Sequence, residues 1–257
     1  MDTDLSVVTT GGVTRLTLTN LKSRNSLNRA LCAAIRAALS AAAADPQCRA
    51  VVIQGSEGCF ASGADLEEIA RSGEQRAPAL ESYRELRATQ ELLYRFDGPT
   101  VAAIDGYCLG AGLSLALACD MRIATRRSVF AAPPARLGLL YSDQELWRLA
   151  LRVGFARCRD LLFTGRRVAA PEALELGLVE SLCEVDGLEP AVDELLGQFA
   201  ACSMGALRKT KQQILRFECE GAAGVQDDTL AEEALFEADG VEGIRAFLSR
   251  RAPRFLP

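Results

Sequence analysis

The chain has 257 residues and not one histidine. That absence removes Ser-His-Asp and Cys-His nucleophilic sites, imidazole acid–base chemistry and most metal sites at once. Any catalysis therefore falls to carboxylates, hydroxyls, thiols or backbone dipoles. A basic excess is also missing. The net charge is -5, whereas a nucleic-acid partner calls for a basic face. No apolar run reaches the roughly 18 residues of a membrane span, and the opening MDTDLSVV is acidic where a signal peptide is basic. The nine cysteines are odd in number and contain no C-x-x-C pair. They read as small buried thiols in a reducing, cytoplasmic compartment, with neither a disulfide framework nor a zinc site. Low-complexity tracts are lacking as well.

What is present is apolar and periodic. A hydrophobic fraction of 49% over this length fills the core of one large domain, alone or with a helical appendage. Residues 5–10 and 13–19 alternate around Gly11-Gly12 as a hairpin. Residues 28–44 form an alanine-rich helix stopped at Asp45-Pro46, and residues 50–53 a buried strand. Small residues from Gly58 to Asp65 make a loop that turns helical over 66–71. A polar stretch at 71–76 precedes an amphipathic helix over 78–95.

The stretch 101–125 organises the rest. Val101 to Ile104 is a short apolar strand, ended by the turn pair Asp105-Gly106, and residues 113–119 are apolar except for Ser114. This predicts a helix buried nearly all round. Between strand and helix, Gly110-Ala111-Gly112 lets the backbone approach another group closely before the helix begins. The first N–H groups of such a helix have no partner inside it and favour an oxygen carrying negative charge. Read alone, the same glycines need be no more than a tight turn.

Strand and helix go on alternating as in a parallel sheet with helical crossovers. Ser142 and Glu145 have the spacing of a capping box that opens a helix to about Val153, and a further helix begins near Phe155. A helix runs from Pro171 to Gly177, followed by a short strand over 178–183. From residue 188 the pattern is helical, over 188–202, 206–217, 229–239 and 241–251.

Two segments then carry a family resemblance: Phe60-Ala61-Ser62-Gly63-Ala64-Asp65-Leu66, and Asp105 to Gly112 with residues 115–120 after it. With Asn25-Ser26-Leu27-Asn28, residues 130–138, residues 162–165 and residues 173–179, they cover most of the chain. The sequence resembles the crotonase (enoyl-CoA hydratase/isomerase) family. The resemblance implies an α/β fold: a spiral of ββα turns over residues 1–187, and a C-terminal helical region over 188–257 that packs around neighbouring subunits in a trimer or dimer of trimers. It also implies an acyl-CoA thioester as substrate, with no permanently bound cofactor. The thioester oxygen would lie between the N–H groups of Ala64 and Ala111, which stabilise an enolate. A donor of this kind is worth roughly 2.7–4 kcal/mol in the transition state. Ala61, Ser62, Gly63, Asp65, Leu66 and Gly110 would line the thioester, Lys22 and Arg24 would meet the CoA phosphates and adenine, and Arg250, Arg251 and Arg254 would reach a neighbouring subunit's CoA.

The chain also departs from the family. Hydratases of this family use two glutamates, and the matching positions hold Ser114 and Pro134. Adding water to an enoyl double bond needs one group to activate water and another to protonate the α carbon, and neither residue is a strong acid or base. Tyr141 stands where malonyl-type acyl-CoA decarboxylases of the family place a tyrosine against the substrate; otherwise it packs at a loop–helix junction with its hydroxyl on backbone. Asp143 lies near a catalytic aspartate of other members, yet carboxylates also favour a first helical turn. Glu145 reads as the capping-box partner. Ser114 either donates to a substrate or satisfies a carbonyl of its own helix. Arg136 either meets a substrate carboxylate or CoA phosphate or is solvated surface. Residues 72–78 and the helix after them are expected to set the pocket's width. A family member that binds CoA without catalysing anything, as an assembly partner, is the contrasting class.

Overall fold

A computed structural model describes residues 4–71, 76–221 and 229–255. The first turn is the expected hairpin, β1 (Leu5–Thr10) antiparallel to β2 (Val13–Leu18). Along β2 every second residue, Thr14, Leu16 and Leu18, is buried, the period-2 pattern of a strand with one face on the core. β2 then pairs in parallel with β3 (Ala50–Gly55), the helix α1 (Arg29–Ala44) making the crossover between them. Asn28 caps α1 by accepting the Leu31 N–H at 2.8 Å, and Leu31, Ile35, Leu39 and Ala42 give it one buried stripe.

From β3 onward each turn contributes to two sheets. β3 leads into the three-residue β4 (Cys59–Ala61), then α2 (Leu66–Arg71) and α3 (Arg76–Tyr94). β5 (Thr100–Ile104) leads into β6 (Tyr107–Leu109) and α4 (Ala111–Leu117), and β7 (Met121–Thr125) into β8 (Val129–Ala131) and α5 (Asp143–Thr164). The chain closes through β9 (Arg167–Ala169), α6 (Ala170–Leu176) and β10 (Ser181–Cys183). Strand order is β1-β2-β3-β5-β7-β10 in one sheet and β4-β6-β8-β9 in the other. This is the ββα spiral that the resemblance implied. The plain reading of one parallel sheet found the six-stranded member, and missed β4, β6 and β9 as strands.

α5 opens on the predicted capping box: the Ser142 hydroxyl accepts the Glu145 N–H at 3.3 Å, and the Glu145 carboxylate accepts the Ser142 N–H at 2.8 Å. It breaks at Gly154 (φ 75, ψ 156), which accounts for the two helices read on either side of that residue. α7 (Leu188–Ala200) lies on the six-stranded sheet, with Val192 buried among Val52, Val101, Ala103 and Ile123. α8 (Met204–Glu220) is tied to the spiral by the Lys211 ammonium, which donates to the Gly98 carbonyl at 3.0 Å and to Asp120 at 2.8 Å. α9 (Thr229–Phe236) and α10 (Ala238–Leu248) follow. Phe236, Phe247 and Leu248 on them are 83%, 82% and 76% exposed, an uncovered apolar face. No helix among the described residues is long and apolar enough to cross a membrane.

Candidate active site

β4 and β6 pair in parallel, with Ala61 beside Cys108, so the bends that follow them leave the small sheet on the same side. The first bend is strapped by the segment before α1. Leu27 donates its N–H to the Gly63 carbonyl at 2.8 Å and accepts the Asp65 N–H at 3.3 Å, Ser62 is held by the Arg24 and Ser23 carbonyls, and the Asn25 side chain donates to the Cys59 carbonyl at 2.7 Å. Leu27 thus bonds on either side of Ala64 in a parallel bridge. In that pattern the N–H of Ala64 itself points away from Leu27. The N–H of Ala111, the first residue of α4, precedes that helix's ladder. Among the described residues no acceptor engages either N–H.

The bends touch. A Cβ on Gly63 would lie 3.3 Å from the Leu109 carbonyl oxygen and 3.8 Å from the Ala111 nitrogen, and one on Gly110 would lie 3.9 Å from the Gly63 Cα. Behind them Gly112 packs on Ala61 so closely that a Cβ there would sit 2.6 Å from the Ala61 oxygen. Gly63, Ala64, Gly110 and Ala111 together form one wall of a cavity of about 150 Å³. Tyr83 and Leu86 of α3, Pro134 and Leu140 of the 133–141 loop, and Tyr141 and Glu145 at the start of α5 complete it.

The expected residues divide. Ser62, Gly63, Ala64, Leu66, Gly110, Ala111 and Tyr141 meet at this cavity, as does Pro134. Ala61 is fully buried beneath it. Asp65 accepts the Glu68 N–H at 2.9 Å as the cap of α2 and takes the Ser26 hydroxyl at 3.1 Å. Ser114 turns its hydroxyl to the Gly110 carbonyl of its own helix at 3.4 Å and does not line the cavity. Asp143 is exposed at the first position of α5, outside the cavity lining. Lys22 and Arg24 are exposed on the strap before the first bend. Arg136 donates to the Thr164 carbonyl at 2.9 Å. Residues 72–75, part of the segment expected to set the pocket's width, lie outside the described residues.

Tyr141 donates its hydroxyl proton to the Gly110 carbonyl at 2.9 Å, and burial pushes its phenol well above the usual range while the nearby Ser114 hydroxyl opposes the shift. The residue that sequence reasoning passed over is Glu145, which is 5% exposed. One carboxylate oxygen accepts the Ser142 N–H and hydroxyl at 2.8 and 2.9 Å, and the other accepts the Gln90 amide at 3.3 Å. Among the described residues no lysine or arginine pairs with it. It is the sole carboxylic acid among the described residues lining the cavity. Burial, and then the charge of Glu145, push the Tyr83 phenol up. The S-x-x-E spacing announced the cap; that the cap faces inward has no signature in sequence.

Comparison with known proteins agrees with this architecture. The family described as Enoyl-CoA hydratase/isomerase matches residues 9–256. An enoyl-CoA isomerase/hydratase of Mycosarcoma maydis is 31% identical over 255 residues, covering 95% of this chain and 92% of its own. The crystal structure of an enoyl-CoA hydratase from Bacillus anthracis superposes with a TM-score of 0.91 at 31% identity, covering 98% of both chains. An enoyl-CoA hydratase structure from Polaromonas gives 0.90 at 30% identity, covering 98% of this chain and 99% of that one. On the match over nearly its whole length, this chain belongs to the enoyl-CoA hydratase/isomerase, or crotonase, family.

Proposed function

We propose that the protein binds acyl-CoA thioesters as substrates and holds the thioester oxygen, as an enolate forms, between the N–H groups of Ala64 and Ala111. The observation that carries this reading is the meeting of two small-residue bends at one cavity, each with a backbone donor that no described acceptor engages. Donors aimed beforehand at a developing oxyanion, in a site shielded from water, act without reorganising during the reaction. Small residues at 62–64 and 110–112 matter because they let a thioester reach those donors. Lys22 and Arg24, exposed on the adjoining strap, suit the CoA phosphates.

The reaction is of the hydratase/isomerase type, with proton transfer assigned away from positions 114 and 134. Ser114 is committed to a carbonyl and Pro134 has no proton to give. Among the described residues Glu145 is the one carboxylate lining the cavity, its two oxygens held by Ser142 and by the Gln90 amide. A malonyl-type substrate would bring its own carboxylate beside Glu145, and the Tyr141 proton is already engaged at Gly110; decarboxylation through Tyr141 therefore gains no support from this geometry. The six buried, unbonded cysteines suit a reducing cytoplasm.

The test is optical. A conjugated enoyl thioester such as 2,4-hexadienoyl-CoA should absorb at longer wavelength when bound, because two donors on its oxygen draw charge along the chain. Binding with an unmoved band would refute the reading. Crotonyl-CoA should be consumed; turnover of methylmalonyl-CoA in its place would make the protein a decarboxylase, and binding without turnover of either would make it a non-catalytic partner.

We also assign the uncovered apolar face of α9 and α10 to contacts between copies of the chain. Phe247, Ile244 and Phe255 line a hollow of about 620 Å³ beside α8, and burying such side chains is worth about 1.5–3 kcal/mol each. Sedimentation should give three or six times the 27.6 kDa chain mass, and Phe247→Asp should lower it. A wild-type monomer at micromolar concentration would remove this assignment.

A further inference from the structure

We propose that Tyr141 is a positioning residue: its hydroxyl is engaged at the Gly110 carbonyl and through it fixes the direction of the Ala111 N–H. The proposal rests on the oxyanion reading above for its consequence, though not for its geometry.

The Gly110 carbonyl and the Ala111 N–H are the two ends of one peptide unit. In a trans peptide they point in opposite directions, so whatever holds the oxygen aims the proton. The preceding peptide is pinned to the small sheet, since the Gly110 N–H donates to the Ala131 carbonyl at 2.8 Å. The 110–111 unit is the first past that anchor. Gly110 adopts φ 51, ψ -120, a conformation that glycine enters and leaves with little steric cost. A Cβ there would meet nothing nearer than the Gly63 Cα at 3.9 Å, so crowding does not hold the peptide in place. Rotation of this unit about its flanking bonds would turn the Ala111 N–H out of the cavity and bring the carbonyl oxygen in. An oxyanion would then meet an acceptor where it needs a donor.

Three donors converge on the oxygen and oppose that rotation. The Ser114 N–H reaches it at 3.1 Å and the Ser114 hydroxyl at 3.4 Å, both from the same helix. Tyr141, at 2.9 Å, is the nearest of the three and reaches it from another part of the chain. It sits where the cavity-lining 133–141 loop joins α5, so the peptide's orientation is coupled to that loop. A proton donated to a peptide oxygen also polarises the far N–H of the same unit, which strengthens it as a donor. Tyr141 and Ser114 thus share one role, since both act on the Ala111 donor from behind.

Tyr141→Phe keeps the ring and removes the hydrogen bond. In the free protein, the Gly110 carbonyl carbon resonance should move upfield and the Ala111 amide should exchange with solvent faster, with the thermal midpoint little changed. With 2,4-hexadienoyl-CoA bound, the long-wavelength shift of the wild-type protein should be largely lost while affinity stays within a few-fold. An unaltered Ala111 amide and Gly110 carbonyl in the variant would overturn the proposal, as would a full band shift. If the wild-type protein binds the probe without any shift, the oxyanion reading fails; the two resonances of the free protein still decide whether Tyr141 holds the peptide. Should the variant not fold, a coupling across the hydrogen bond between the Tyr141 hydroxyl proton and the Gly110 carbonyl carbon in wild-type protein decides it, and its absence counts against the proposal.

Discussion

Gly112→Ala is expected to damage the site and the fold together, losing on the order of 100-fold in thioester turnover even where the chain still folds. The added Cβ would sit 2.6 Å from the Ala61 oxygen, 2.7 Å from the Ala61 Cβ and 3.1 Å from its carbonyl carbon. Those atoms cannot yield cheaply. Ala61 and Phe60 are fully buried, and β4 is held to β6 by parallel pairing. Overpacking of a filled core costs about 1–3 kcal/mol, and alanine's better helix propensity returns at most about 1 kcal/mol of it. The remaining strain must separate α4 from β4, which carries the Ala111 N–H away from the Ala64 N–H. Gly197→Ala on α7 is the control: a Cβ there meets nothing within 4 Å, so only the propensity gain applies. Urea titrations should lower the Gly112→Ala midpoint and leave the Gly197→Ala midpoint equal to or above wild type. A Gly112→Ala protein with wild-type midpoint and intact hexadienoyl-CoA band shift would show that the two bends need no such contact.

The same contacts explain why the two small-residue bends were visible in sequence and much else was not. A close approach of two backbones demands small residues at both points, so Gly63, Ala64, Gly110, Ala111 and Gly112 leave a trace in composition. The crossing between sheets leaves much less. β4, β6, β8 and β9 have three residues each, too short to display a period of two; the first three are placed by the strands they follow, and β9 comes back from α5 to pair antiparallel with β8. The choice between Asp143 and Glu145 turned on orientation. Residues two apart on a helix face nearly opposite ways, so one carboxylate faces the cavity and the other faces solvent. The capping box decides which, because it folds Glu145 back over the helix start while Asp143 stays exposed. Tyr141 was legible as a residue of interest: it lines the cavity, and its hydroxyl is on backbone, as the second of its two readings has it.

Arg122→Met should cost about 3–5 kcal/mol of stability, the penalty for taking one member out of a buried charged network. Arg122 on β7 has no solvent exposure. Its guanidinium donates to the carbonyls of Leu178 at 2.9 Å and Cys119 at 2.8 Å, reaches those of Ala116 and Asp120 at 3.5 and 3.4 Å, and pairs with the Glu180 carboxylate. Burial pulls its pKa down while Glu180 opposes that. Three of the four carbonyls lie in or just beyond the last turn of α4, where a cation also meets the negative end of the helix dipole. Arg122 therefore fastens the far end of the helix whose first residue supplies the Ala111 donor. Glu180→Gln should cost less, because Arg122 keeps its bonds to the backbone carbonyls and the 34%-exposed side chain is partly solvated, although an amide oxygen can accept only one of the two hydrogen bonds that the carboxylate takes. The double variant Arg122→Met, Glu180→Leu separates two accounts of the loss. If the ion pair were all that mattered, removing both charges would restore stability; because the guanidinium also satisfies buried carbonyls, the double variant should stay close to Arg122→Met in urea titration. A single Arg122→Met variant within about 1 kcal/mol of wild type would mean that α4 is held by its apolar faces alone, and the tie between this arginine and the Ala111 N–H would dissolve with it.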